Sequence, residues 1–338
     1  PDGRPPMRTP ALRATALVLA VAVAAVVATG AVSAATVADV EALLKQRAPN
    51  ALAQAQALVD AAENSARAWT LLARAQLQKG EAADAVDSAE RAVELAPTDA
   101  QAQLWLGNSL GVRIGEVNML RKMAMAPDLR DAFEAAVRLD PNLFDARTAL
   151  IQFYLQAPEA IGGGKAKAEA QVAEIAKRHP VRGHLAQATL DRVAKDDAAY
   201  RRSIDAAVAA APGLPATDID VRAAVVGHLV AQERHVDAKR FIDAWAQAFP
   251  TQASPQYQRG RLAAVSGEGL DEGAAALKRY LDGGLVRGEN DPRDGYAWWR
   301  LGQIQARQGD TAAARTSLQT ALRLEPSNSE AKKALDAL

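Results

Sequence analysis

Seven positions near one end of the 338-residue chain are matched near the other at a single constant offset, six of them by the identical residue. Trp69, Leu72, Gly80, Ala85, Ala89, Ala92 and Pro97 correspond to Trp298, Leu301, Gly309, Ala314, Leu318, Ala321 and Pro326, each displaced by 229 positions. Self-similarity of this kind marks a chain that stacks a small unit instead of closing one large core. Within the unit, Leu301 and Ile304 fall on one face of a first helix and Gly309 permits a tight turn. Ala314, Leu318 and Ala321 then line the facing side of a second helix, where small residues let two backbones approach closely.

Both segments resemble the tetratricopeptide repeat (TPR), which has a period of about 34 residues and a W, L-G, Y, A, F, P pattern. In the second copy the match is Trp298, Leu301-Gly302, Gly309, Ala314, Leu318, Ala321 and Pro326, with Gln305 in place of the tyrosine. The resemblance implies an all-α, TPR-type right-handed α-solenoid of about seven helical hairpins. Composition agrees, because aromatic residues make up only 4% of an alanine-dominated chain, and close helix stacks need little bulk.

Prolines punctuate the pattern. Pro97, Pro141, Pro180, Pro212, Pro250 and Pro326 follow Ala-rich amphipathic segments at gaps of 44, 39, 32, 38 and 76 residues, the last being twice 38. The spacing predicts hairpins at about 66–99, 100–143, 144–182, 183–214, 219–252, 253–290 and 295–328, so that 66–328 forms the solenoid. Ahead of it, 35–65 carries a further helix pair with Val40, Leu43, Leu44, Ala53, Leu58 and Val59 on apolar faces. Behind it, 329–338 reads as a capping helix whose Leu335 and Leu338 cover the last repeat. Asp99, Asn142 and Ser327 each sit just after a proline, where a short polar side chain can cap the next helix.

Two insertions interrupt the period. Gly111 to Ala126 is expected to lengthen the first helix of the second hairpin, with Met119 and Met123 sealing it as core residues in preference to forming an adaptable apolar surface. Residues 157–165, Ala-Pro-Glu-Ala-Ile-Gly-Gly-Gly-Lys, enlarge the turn of the third hairpin. Insertions in repeat arrays map to one face, often the binding face. Arg113 to Pro141 also resembles the extended repeat of microtubule-dynamics-regulator-type TPR proteins, which implies lipid or protein contacts.

The chemistry-bearing residues do not assemble a catalytic motif. Gly162-Gly163-Gly164-Lys165 lacks the earlier glycine and the following hydroxyl of a phosphate loop, with Glu159 and Ala166 at those places. His179, His184, His228 and His235 do not form a His-Glu-x-x-His pair, and His228 and His235 read as surface or packing residues. There is no cysteine, hence no disulfide or thiolate site. The reading is therefore a non-enzymatic module without cofactor or metal. The 40 basic and 40 acidic residues are dispersed, which argues against nucleic acid as a partner.

Projecting the repeat onto a solenoid puts Arg67, Arg74, Asn108, Gln152, Asp191, Tyr257, Arg261, Tyr296, Trp299 and Gln303 on the concave surface, lined by the first helix of each hairpin. Their mixed charge and aromatic content suit a protein or extended peptide held by hydrogen bonds and stacking. Co-chaperone TPRs that grip a C-terminal carboxylate present Lys, Asn and Arg in successive repeats; here Arg74 and Asn108 are followed by Gln152, a departure from that set. An apolar or lipidic ligand at the Met-rich insertion is the alternative, and a scaffold of the cell envelope is the first reading.

At the N-terminus, Arg8 and Arg13 precede the apolar run Ala16 to Val27, and Val32-Ser33-Ala34 supplies the small residues of a cleavage site. Residues 1–34 are read as a signal peptide with an upstream extension ahead of Met7, which makes this a bacterial exported TPR protein, expected in the periplasm. The alternative is an uncleaved inner-membrane anchor, since the run through Ala35 is about long enough to span a bilayer. N-terminal sequencing of the mature protein should begin at Ala35; recovery of the intact apolar segment in the membrane fraction would establish the anchor instead.

Overall fold

The structure, a computed structural model, describes residues 35–288 and 290–338. The proposed signal peptide lies outside the described residues. Residues 35–338 form one unit of α-helices, with no strand among the described residues. A helical pair, α1 (Val37–Gln46) and α2 (Ala51–Ala61), comes first. Hairpins follow as α3/α4 (Ala66–Lys79, Ala82–Leu95), α5/α6 (Ala100–Glu116, Met119–Leu139), α7/α8 (Phe144–Gln156, Lys165–Arg178) and α9/α10 (Pro180–Val193, Asp197–Ala210). Then come α11/α12 (Ile219–Ala231, His235–Ala248), α13/α14 (Ser254–Ser266, Leu270–Leu281), α15/α16 (Asp294–Arg307, Thr311–Leu324) and the terminal α17 (Ser329–Asp336). The expected all-α solenoid is the fold observed.

Each helix packs on its neighbours in sequence, and the first helices of successive hairpins also touch, as α3 with α5 and α13 with α15. That second set of contacts is what turns a string of hairpins into a continuous stack. Its core is a chain of local clusters: Leu71, Leu72 and Ala68 against α1 and α2, Leu150, Ile151 and Ile175 in the middle, Leu301, Ile304 and Leu277 near the end. The stack curves enough for Arg47 and Gln78 near its start to line one crevice of about 300 Å³ with Arg293 and Glu325 near its end.

The repeated glycines and alanines have distinct reasons. Gly80 and Gly309 end α3 and α15 at φ 82° and 83°, a left-handed conformation that a β-carbon penalises. Gly302 instead sits at a helix crossing, where an added Cβ would lie 2.7 Å from Leu318 Cγ. Gly260 meets Leu277 and Gly107 meets Phe133 the same way, at 2.2 and 2.5 Å. Ala85, Ala89, Ala92, Ala314 and Ala321 are completely buried on the facing helices.

Several local expectations change. Asp99 caps α5, accepting from the Gln101 and Ala102 amides, but Asn142 and Ser327 do not cap. Leu143 precedes α7 without a side-chain cap, while Asp140 accepts from the Asn142 amide. Asn328, one residue beyond Ser327, caps α17 through the Ala331 amide. Pro180 opens α9 at its first turn, where its missing N–H costs nothing. The insertion in the second hairpin divides at Asn118, which caps α6 through the Arg121 amide, so Met119 to Met125 begin the second helix instead of extending the first. Pro127 inside α6 then marks where this extension joins the repeating part.

Replacing Gly302 by Val should destabilise the C-terminal hairpins by about 1–3 kcal/mol, because the Leu318 contact has no room for the added carbons. Urea titration followed by circular dichroism measures this, and an unchanged midpoint would show that the crossing can open.

Candidate functional site

The first helices of the hairpins carry the residues projected onto the binding surface, and the structure sorts them into groups. Asn108 on α5 and Gln152 on α7 open onto a cleft of about 730 Å³ between the second and third hairpins. Phe133 and Leu129 form its floor with Phe153, while Met119 and Met123 reach it from the start of α6, and Ala157, Pro158 and Ile161 close one side. Lys122 is the one charged side chain lining it. Met119, Leu120 and Met123 are 70%, 81% and 52% exposed, so the expectation that the two methionines are core residues is overturned. The cause is the division at Asn118: the first turns of α6 extend beyond the repeating part of the hairpin and carry these side chains into solvent.

At the C-terminal end, Tyr296 and Trp299 on α15 face each other edge-on with ring centroids 6.5 Å apart. The Arg300 guanidinium stacks on the Trp299 ring at 3.8 Å and donates to Gln303 Oε1 at 2.8 Å. Arg261 on α13 donates to Gln258 Oε1 at 3.3 Å. Burial pulls the Arg300 guanidinium below its ordinary value, and Arg261 nearby acts in the same direction. Trp299 is not a free aromatic plate, since it is half-buried against the cluster containing Ala331 and Leu335 of the capping region.

Two projected residues are not available to a partner. Asp191 is 8% exposed and fastens the fourth hairpin from inside, accepting from Gln187 Nε2 at 2.8 Å and from Ser203 Oγ on α10 at 2.6 Å. Tyr257 is 6% exposed, with its ring 5.4 Å from that of Tyr280, and burial pushes its phenol up. The repeat register points both toward the first-helix face, but neighbouring helices cover them. Arg67 is engaged by Glu41 of α1, whose carboxyl it holds below the usual range. Arg74 lies over the Trp105 ring at 4.8 Å.

Trp105 and Arg300 are the surface residues that the sequence projection missed. Arg300 directly follows the projected Trp299, whereas Trp105 stands three residues before the projected Asn108 on α5. A scan for arginine or tryptophan flanking the projected positions would have found Arg300.

The remaining candidate chemistry has structural occupation. Gly163 packs where a Cβ would come within 1.8 Å of the Ala157 carbonyl oxygen, so the glycine run builds a tight turn. His179 accepts from the Arg182 amide through Nδ1 at 3.2 Å and meets Asp218 through Nε2 at 2.9 Å, which makes it a helix cap held by a carboxylate. The His228 ring contacts the Tyr200 hydroxyl at 2.8 Å, and burial lowers its pKa. Among the described residues there is no group of three or more His, Cys, Asp or Glu placed to hold a metal ion, and no helix long and apolar enough to cross a membrane.

Comparison with known proteins fits this architecture. The family model for the tetratricopeptide repeat matches residues 40–100 and 257–329, at the two ends of the stack. No curated protein matches the sequence. Among solved structures, yeast Tom70 superposes with a TM-score of 0.58 at 14% identity, covering 86% of this chain and 58% of that one. The chain thus spans just over half the length of Tom70, and the likeness is one of fold. A tetratricopeptide repeat protein from Parabacteroides merdae is 12% identical with a TM-score of 0.43, over 80% of this chain and 97% of that one.

The position of Asp191 generates a check on this sorting. Asp191→Ala removes the acceptor of two hydrogen bonds inside the fourth hairpin, and should cost about 1–3 kcal/mol in chemical denaturation. Asn108→Ala and Gln152→Ala, on the open cleft, should leave stability within about 0.5 kcal/mol.

Proposed function

We propose that this chain is a non-enzymatic binding or scaffolding protein of the cell envelope, which captures a segment of a partner protein along the face formed by the first helices of its hairpins. The observation that carries the reading is the cleft between the second and third hairpins. It combines the exposed, flexible apolar side chains of Met119 and Met123 with the amides of Asn108 and Gln152 on one wall. Contiguous exposed apolar surface rimmed by polar groups marks an interaction site, and methionine adapts to irregular apolar partners. The amides supply hydrogen bonds for a peptide backbone, while Phe133 and Phe153 offer a surface for its apolar side chains.

A second reading uses the same cleft. Its volume suits a small amphiphile, its lining is mainly apolar, and Lys122 supplies a single cation at the edge. A carrier of an apolar or lipidic ligand would use it in that way. The export of the protein to the envelope belongs to this proposal and rests on the N-terminal sequence pattern alone.

Met119→Asp combined with Met123→Asp introduces charge at exposed positions, so helicity and melting temperature should change little. Capture of partners from the envelope fraction of the protein's own cells should then fall by at least about tenfold, the effect of losing roughly 1.4 kcal/mol of apolar contact. Unchanged capture would overturn the cleft as the binding site. Native mass spectrometry of the purified protein separates the two readings, since a bound amphiphile lost in the double variant would favour the carrier.

A further inference from the structure

We propose that the groove between α10 and α12, on the second-helix side of the fourth and fifth hairpins, binds an extended apolar chain of medium length that ends in a carboxylate. None of the residues projected onto the first-helix face lines it, so this site is separate from the one assigned to a protein partner.

The groove originates in the connection between the two hairpins. Eight residues, 211–218, join α10 to α11, whereas four join α4 to α5 (96–99) and α6 to α7 (140–143). The buried Arg222 of α11 fixes the longer connection, donating to the carbonyls of Leu214 and Pro215 at 2.6 and 2.9 Å while its guanidinium lies over the Phe249 ring at 4.5 Å. Gln252 holds it as well, donating to the Ala216 carbonyl at 2.8 Å and accepting from Trp245 Nε1 at 2.7 Å. With the connection fixed, a cavity of about 370 Å³ remains between Val208 and Pro212 and the facing side of α12. A cavity braced in this way keeps its shape without a ligand, so binding does not bear the cost of ordering it.

The lining sets the class of ligand. Asp237, Arg240, Phe241, Ala244, Trp245 and Ala248 recur every three or four residues along one face of α12, a stripe about 16 Å long at the helical rise. So small a volume spread over that length is a slot, better suited to one extended chain than to a compact ring system. Trp245 has its one donor occupied by Gln252, and beside it Phe241, Ala244 and Ala248 offer apolar contact alone.

Charge gathers toward the start of α12. Asp237, the one carboxylate among the described lining residues, is committed to Arg234, which meets it at 2.8 Å and is also held by Asp205 at 2.6 Å. Arg240 reaches Asp237 only at 3.6 Å, with 78% of its side chain exposed. Its guanidinium therefore keeps most of its donors in solvent and can turn onto an anionic end group at the mouth of the slot. A cationic end group would be repelled there, and a neutral one would gain no ion pair.

Isothermal titration calorimetry of the full chain with decanoate, decan-1-ol and decylamine tests this. One decanoate should bind per chain, with decanol about threefold to fivefold weaker, the scale of a partly exposed ion pair, and decylamine weaker still. Arg240→Gln should remove the preference for decanoate over decanol and leave the melting temperature unchanged. Ala244→Trp fills the slot from an exposed position and should abolish binding of both. Ala248→Phe, also exposed and one turn further along the stripe, should act in the same way and stands as the readout if Ala244→Trp does not fold. Met119→Asp with Met123→Asp alters the other cleft and should leave decanoate binding intact. Equal affinity for decanoate and decanol, or a preference that persists in Arg240→Gln, would overturn the proposal. So would decanoate binding that survives the slot-filling changes or disappears in the methionine variant. Absence of decanoate binding would overturn it too, while leaving the peptide-binding reading untouched.

Discussion

The close approach of two helices at a residue without a side chain is the constraint on which the rest of this molecule depends. At Gly302, Gly260 and Gly107 the partner helix advances a Leu or Phe side chain into the space that a β-carbon would fill. Buried alanines on the second helix keep the remaining crossing shallow. Because the helices lie so close, each hairpin hides a small apolar seam with little bulk, and a chain with few aromatic residues can still bury a continuous core. Stacking then does what a single globular core would otherwise do, with each hairpin covering the apolar side of the one before.

Departures from that repeat gather where the molecule has something to bind. The lengthened second hairpin and the enlarged turn of the third stand next to each other in sequence, and in the fold they enclose one cleft. The first turns of α6 expose large apolar side chains at a cost in solvation, which a structural element would ordinarily avoid. At the far end of the stack the Arg300 guanidinium lies on the Trp299 ring with its Nε buried and unpaired.

The binding face was legible in part. Reading each repeat against the next located the line of the first helices, and along it Asn108, Gln152, Arg261, Tyr296 and Gln303 lie at partly or fully exposed positions. The same projection could not separate Asp191 and Tyr257 from these. Whether a residue on the correct face stays open depends on which neighbouring helix leans over it. Asp191 turns to meet Ser203 across its own hairpin, and Tyr257 is covered from the side of Tyr280. The methionines failed for the opposite reason. Helical spacing placed Met119 and Met123 one turn apart, a pattern shared by core and surface stripes, and only the position of the break at Asn118 decided between them.

By itself the sequence determined the all-α class, the stacked hairpins and the glycines and alanines of the seam, because these follow from local rules: helical periodicity, turn chemistry and the volume permitted at a crossing. A repeat states those rules several times over, so an irregular copy is read through the regular ones. Tertiary structure decided what the rules leave free: the cleft formed by two unrelated insertions, the burial of Asp191 and Tyr257, and the meeting of Arg74 with Trp105 from successive hairpins. Each depends on the angle and offset between neighbouring hairpins, which arise from packing summed along the stack. No single segment encodes them.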